Sequence, residues 1–546
     1  MFRYCIFETL SKYNITEMSI FSRDSILQSI HDQDKIWDIA IIGGGATGLG
    51  AAVDAASRGL STLLLEQADF AKGTSSRATK LVHGGVRYLA QGDIGLVREA
   101  LHERGLLLKN APHLVKNESF IIPNYSWFDG VFYTIGLTIY DLLAGKLGFG
   151  RAKHISKKET VSRLPGIEEK GLHGGVVYHD GQFDDSRLAI NLAQTALEQG
   201  ATVLNYFKVT GLIKDGNHKI AGVNAIDTDT GLSYRLKAKT VINATGVFVD
   251  DVLKMDVPDK KPLVRPSQGV HLVFDRKFMP GEDAIMIPKT EDGRVLFVVP
   301  WHNKLLVGTT DTPINEHSLE PVALDAEIDF ILRTAAKYLK KVPARADVLS
   351  VFAGLRPLAA PQDDSSKTKE ISRSHKLIVS KSNLITITGG KWTTYRKMGE
   401  DTIDKAIEVG KLPANLCHTA GLAIHGSRPN PDRSNHLYVY GNDIEKVLAL
   451  ANEDDDWKNP VHPDDEYTKG EVIWSVRYEM ARTVEDILAR RTRVLFLNAR
   501  LAIAMAPEVA RLMAGELNKD AQWEKEQTEA FNKVAGNYIL AGRIKS

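Results

Sequence analysis

Apolar and polar positions alternate with different periods along the chain, and each change of period marks an element. After Trp37 comes the apolar run Ile39-Ala40-Ile41-Ile42, then a glycine cluster, then Leu49 to Arg58 at helical spacing, then Ser61 to Leu65. That order predicts strand, tight turn, helix, strand: a βαβ unit. Helical spacing returns over Ile94 to Lys109 and over Asp185 to Gln199, where Gly200 supplies a C-cap.

Extended segments follow at Ala201 to Leu204, Ala221 to Ile226 and Thr240 to Asn243, and these predict more strands of the first sheet. Between Val270 and Asp311 four short β-rich runs come close together: Val270 to Phe274, Ala284 to Pro288, Val295 to Pro300 and Leu305 to Thr309. Close spacing predicts a separate antiparallel sheet. Leu384 to Thr388 reads as another buried strand leading into a helix over Thr393 to Val409. Beyond Ser427 to Ser434 the pattern is mostly helical, and Thr483-Val484-Glu485-Asp486 resembles a capping box.

Composition and charge narrow the class. A chain of 546 residues, 43% hydrophobic and 25% charged, is a soluble-type globular protein of two or three domains. Its 69 basic and 68 acidic residues leave a net charge of +1, which gives no global field for nucleic acid. Cys5 and Cys417 stand far apart, with no metal-ligand spacing, so neither disulfides nor a metal site is expected. Residues 1–36 read as a loosely ordered leader, with Arg3, Glu8, Lys12, Glu17, Arg23 and Asp24 interrupting any secretory core. Its acidic residues speak against a mitochondrial presequence, and either Met1 or Met18 can serve as the start. The apolar stretch Val131 to Leu143 is shorter than the ~20 residues that span a bilayer.

The glycine cluster Gly43-Gly44-Gly45-Ala46-Thr47-Gly48 carries the first chemistry. Gly43 permits the tight turn, Gly45 lets backbone approach a pyrophosphate, and Gly48 lets the helix pack on the strand. Glu66 lies 18 positions beyond Gly48, at the end of the second strand, where a carboxylate accepts ribose hydroxyls. A dinucleotide site is predicted. Gly73-Thr74-Ser75-Ser76 and Asn243-Ala244-Thr245-Gly246 resemble flavoprotein segments, which favours FAD over NAD.

At Lys80-Leu81-Val82-His83-Gly84-Gly85-Val86-Arg87-Tyr88-Leu89 the sequence resembles the FAD-dependent glycerol-3-phosphate dehydrogenases, within the D-amino-acid-oxidase-like flavoproteins. Gly308-Thr309-Thr310-Asp311, Gly354-Leu355-Arg356-Pro357-Leu358, Gly389-Gly390-Lys391-Trp392-Thr393-Thr394-Tyr395-Arg396 and Leu488 to Arg493 continue the match, which covers about 37–546. Trp392 departs from the smaller aliphatic residue common there. Glu453-Asp454-Asp455-Asp456 lacks the loop glycine and spacing of a calcium-binding extension, so a bacterial aerobic type is implied.

The resemblance implies an α/β fold: a discontinuous Rossmann-like FAD-binding domain over 37–110, 181–260 and 376–411, an antiparallel-sheet substrate domain over 111–180 and 261–375, and a helical C-terminal domain over 412–546. It places Lys80, Leu81, His83, Val209, Gly354, Gly390, Lys391, Trp392 and Thr393 with the glycine loop as FAD contacts. It turns Arg87, Arg356 and Arg373 toward the substrate pocket, where guanidinium groups suit a phosphate. Tyr88 lines that pocket, His271 is the candidate base or hydroxyl-orienting group, and Lys391 sets a positive charge by the flavin pyrimidine edge.

The implied reaction is oxidation of sn-glycerol 3-phosphate to dihydroxyacetone phosphate with hydride transfer to FAD. A quinone would be the acceptor, and the enzyme would sit on the cytoplasmic face of the cell membrane, with a homodimer compatible. Attachment would use apolar residues of Phe128 to Leu147 or the arginines near Arg490; alternatively these are an amphipathic core segment and a solvated helix in which Asp486 pairs with Arg490. An oxidase yielding peroxide, an amine or amino-acid oxidase, and a non-catalytic binding protein on the same fold are the other readings.

Overall fold

The computed structural model describes residues 20–32, 34–90, 92–291, 293–359 and 375–540. Two large sheets organise them. In the first, of eight strands, Ile36–Ile42 lies centrally, parallel to Ser233–Asn243 on one side and to Thr62–Leu65 on the other. Thr202–Leu204 and Leu384–Thr388 extend it in parallel, and Lys376–Val379 adds an antiparallel edge. A strand sandwiched between layers has no polar face, which is why Ile39 to Ile42 are apolar without alternation.

The helix Ala46–Ser57 packs between Asp185–Glu198 and Tyr395–Gly410. Glycine makes the second contact possible: a Cβ on Gly399 would come within 2.7 Å of the Gly50 backbone. Thus the helix after residue 390 lies against the helix that opens at residue 46. Three segments distant in sequence build one nucleotide-binding layer.

The second sheet has ten strands among the described residues. Val264–Asp275 is its spine, antiparallel to Lys304–Gly308 and to Ser350–Ala359. All four β-rich runs between 270 and 309 are strands of it. One pair departs from the antiparallel expectation, since Ala284–Ile287 runs parallel to Val115–Asn124.

The C-terminal region is helical, with Lys469–Tyr478, Ala499–Leu517 and Ala521–Ala535 as its longest members. Thr483 and Asp486 exchange capping bonds, Thr483 N–H to Asp486 Oδ2 at 3.0 Å and Asp486 N–H to Thr483 Oγ1 at 3.3 Å. The turn after the cap is wider than α, a π-helical segment over Asp486–Arg491. Arg490 does bond Asp486, at 2.7 Å, yet neither solvates this helix nor offers a membrane contact. Both residues are buried, because Asp69, Glu485 and Asp486 surround the guanidinium group.

Residues 1–19 of the expected leader lie outside the described residues. Its remainder is docked. Arg23, at the head of the helix Arg23–Gln28, is buried against Asp227 at 2.8 Å, and Phe21, Ile26 and Ile30 join the main core.

Candidate active site

The glycine loop forms where the central strand ends. Gly43 has φ +110°, and a Cβ there would lie 2.7 Å from the Ala244 carbonyl oxygen, so only glycine fits between the two strand ends. A Cβ on Gly48 would sit 1.9 Å from the Gly43 oxygen, which fixes the helix tight against the turn. Ala46, first in that helix, donates its N–H to Ser75 Oγ at 3.0 Å. The helix N-terminus and the Gly73–Ser76 segment therefore form one surface.

Glu66 closes the other end of this surface. Its carboxylate accepts the Gly44 N–H at 2.6 Å and the Ala68 N–H at 2.9 Å. Burial raises its pKa while those two amides pull it down. Each oxygen keeps a lone pair for a hydroxyl donor.

Gly43, Ala46, Glu66, Gly73, Thr74 and Ser75 line a cavity of about 420 Å³, together with Gly45, Val209, Ala244, Thr245 and Gly246. A second cavity, of about 300 Å³, is lined by Leu81, His83, Tyr88, His271, Gly354, Arg356 and Thr393. Thr74, Pro357, Gly389, Gly390, Lys391 and Trp392 border both, so the two join. A glycine turn and carboxylate at one end, and cationic and imidazole groups at the other, are residues that would hold an extended dinucleotide. FAD fits these groups.

Around the second cavity the side chains are held in place. Arg356 donates to the Thr310 carbonyl at 3.0 Å and to Thr309 Oγ1 at 3.1 Å, with Asp311 at 3.5 Å. Lys391 sets its Nζ 3.9 Å from the centre of the Tyr88 ring. His271 is buried and stacked on Phe352 at 5.0 Å, its Nε2 bonded to Thr79 Oγ1 at 2.9 Å. Burial, with Arg356 and Lys80 nearby, holds the imidazole well below its ordinary pKa, so it is neutral at pH 7.

Several expected residues fall elsewhere. Lys80 borders neither cavity; its ammonium is fully buried on Asp185 at 2.7 Å. Ser76 is also buried away from both, and Gly48 packs beneath the loop. Arg373 lies outside the described residues, as does the side chain of Arg87, whose backbone belongs to the helix Val86–Ala90. Trp392 takes a structural bond, Nε1 to the Ser75 carbonyl at 2.8 Å, joining the two halves of the cofactor surface. Cys417 is half-buried, its thiol pushed up by burial and by Asp54. Thr79 and Arg294, both on the wall of the second cavity, carried no motif; Thr79 is revealed by its bond to His271, and Arg294 by its place on the wall.

Known proteins agree with this architecture. A family model described as FAD dependent oxidoreductase matches residues 38–396, and one described as the C-terminal domain of alpha-glycerophosphate oxidase matches 382–527. The chain is 38% identical to the mitochondrial glycerol-3-phosphate dehydrogenase of Schizosaccharomyces pombe, over 96% of this chain and 91% of that protein. Against its human counterpart the identity is also 38%, covering 94% and 75%. The structure of glycerol-3-phosphate dehydrogenase from Bacillus halodurans complexed with FAD superposes with a TM-score of 0.78 at 29% identity, covering 96% of this chain and all of that one.

Proposed function

Because the chain belongs to the FAD-dependent glycerol-3-phosphate dehydrogenases, we propose that it oxidises sn-glycerol 3-phosphate to dihydroxyacetone phosphate with FAD as hydride acceptor, and that a membrane quinone takes the electrons. The carrying observation is the junction: the cavity holding Arg356 and His271 opens onto the one built by Gly43, Gly45 and Glu66. Arg356, fixed by Thr309 and Thr310, anchors the substrate phosphate, for which a planar guanidinium group is suited. Arg87 and Arg373 share that task. His271, neutral and buried, accepts the hydroxyl proton, and Lys391 holds positive charge where negative charge develops.

Attachment to a membrane rests on the helix Trp127–Ala144. Phe128, Val131, Phe132, Ile135, Ile139 and Leu142 share one face and all are exposed, Phe128 at 79% and Leu142 at 75%. Leaving a large apolar side chain in water forgoes about 1.5 to 3 kcal/mol, so six on one stripe call for a cover. Among the described residues no helix is long and apolar enough to cross a bilayer, so this one lies in the surface plane. Arg151, Lys153, Lys157 and Lys158 are exposed just beyond it and suit anionic headgroups. On the inner side Leu137 joins the apolar cluster of Leu81, Tyr178 and Met286, three residues of the substrate cavity wall.

Anaerobic mixing of the yellow holoenzyme with glycerol 3-phosphate tests the substrate. The flavin absorbance bleaches, and a soluble quinone analogue restores it. Persistent colour rejects the substrate assignment, and recolouring only with oxygen, with peroxide formed, rejects the quinone.

A further inference from the structure

We infer that Thr79 is a catalytic residue, its hydroxyl carrying the proton from the substrate's C2 hydroxyl to His271 Nε2. This rests on the reading of the cavity as a site for a phosphorylated secondary alcohol. Thr79 Oγ1 lies 2.9 Å from Nε2, and Thr79 is half-buried on the cavity wall whereas His271 is only 2% exposed. The hydroxyl is thus the accessible end of the pair.

The backbone is built to hold it there. Lys80 has φ +65°, in the left-handed region, and this turns its side chain into the core while Thr79 faces the cavity. Asp185, fully buried, grips both neighbours: Oδ2 accepts the Ala78 N–H at 3.0 Å and Oδ1 accepts Lys80 Nζ at 2.7 Å. Lys80 Nζ also donates to the Ser76 carbonyl at 2.7 Å. Thr79 therefore sits on a strut closed by a buried ion pair.

The ring it meets is equally confined. His271 stacks on Phe352 on one side, and on the other lies over Gly308, where a Cβ would come within 2.4 Å of Cδ2. With the Thr79 hydroxyl donating to Nε2, the neutral ring carries its proton on Nδ1. In the step, Thr79 Oγ1 takes the proton of the substrate hydroxyl as its own proton passes to Nε2. The C2–H bond breaks with its electron pair leaving to FAD, and C2–O becomes the carbonyl. The proton ends on His271 and the hydride on the cofactor.

The test is single-turnover bleaching of the holoenzyme by glycerol 3-phosphate in Thr79→Val, which keeps the shape and removes the hydroxyl, and in Thr79→Ser, which keeps the hydroxyl. Valine slows bleaching by about 10² to 10⁴-fold, the range for losing a positioned proton carrier, and serine restores it to within about tenfold of wild type. FAD content and melting temperature stay at wild-type values in both. Wild type also shows a slower bleaching rate in D₂O, an effect that needs no variant. A valine variant bleaching as fast as wild type, a serine variant as slow as valine, or no solvent isotope effect overturns the inference. If wild type itself does not bleach, the substrate reading has failed instead and takes the relay with it.

Discussion

Arg491 grips Asp69 with a two-bond fork, Nη1 to Oδ2 at 2.6 Å and Nη2 to Oδ1 at 3.0 Å, joining the C-terminal helices to the segment three residues past Glu66. Burial alone would raise the Asp69 pKa, yet Arg491 and Arg490 hold it down to about 2. Replacing Asp69 with alanine takes away the carboxylate that the buried Arg491 forks onto and one of the three carboxylates around Arg490. A loss of about 3 to 5 kcal/mol is expected for breaking such a buried pair. Melting temperature and FAD retention should fall together, because the broken contact abuts the cofactor surface. A variant that melts early while holding FAD as tightly as wild type would disprove the coupling.

Arg356→Lys separates charge from geometry. Lysine keeps the positive charge but not the planar fork that bonds Thr309 and Thr310. An increase in KM for glycerol 3-phosphate of about tenfold or more is predicted, consistent with losing about 1.5 to 3 kcal/mol of charge-assisted bonding. Steady-state kinetics with glycerol as a comparison substrate check it: the penalty should vanish when the phosphate is absent.

His425 makes stability depend on pH. Burial by itself would lower its pKa, but hydrogen bonds to Asp443 and Glu198, each at 2.6 Å, raise it to about 9. The folded value exceeds the unfolded one of about 6.5, so the stabilisation is fully present below that lower value and disappears as pH rises through about 9. His425→Gln should narrow the difference in melting temperature between pH 6.5 and pH 9.5. Parallel curves for variant and wild type would assign the alkaline loss elsewhere.

For the exposed helix, Phe132→Glu with Ile135→Glu places two charges on the apolar stripe without touching its buried side. Co-sedimentation with anionic vesicles should drop by more than tenfold, while bleaching by glycerol 3-phosphate in solution stays at the wild-type rate. Unchanged sedimentation rules out this face as the membrane contact.

The parts legible in the sequence were those whose meaning is local. Gly43 to Gly48 and Glu66 could be read because one βαβ unit contains turn, helix and carboxylate within a short stretch. Thr79 could not, since its partner His271 arrives on a strand 192 positions away. Arg490 and Arg491 looked like surface charge because helical periodicity counts arginine as polar; only Asp69, more than 400 positions earlier, makes burial possible. Lys80 belonged to a telling motif, yet a left-handed backbone at that residue points it inward. The stripe from Phe128 to Leu142 was ambiguous for a different reason. Spacing identifies an apolar face and is silent on what covers it.

The contact between Gly50 and Gly399 also orders events during synthesis. The strand Ile36–Ile42 leaves the ribosome early, but its neighbour Ser233–Asn243 comes some two hundred residues later, and Leu384–Thr388 and Gly389 to Trp392 later still. Until that last stretch emerges, the nascent chain carries a half-built sheet with an open edge and a cofactor cleft lacking one wall. A nucleotide cleft with both walls therefore exists only once residues 389–392 have left the ribosome, close to the end of the chain's first four hundred residues.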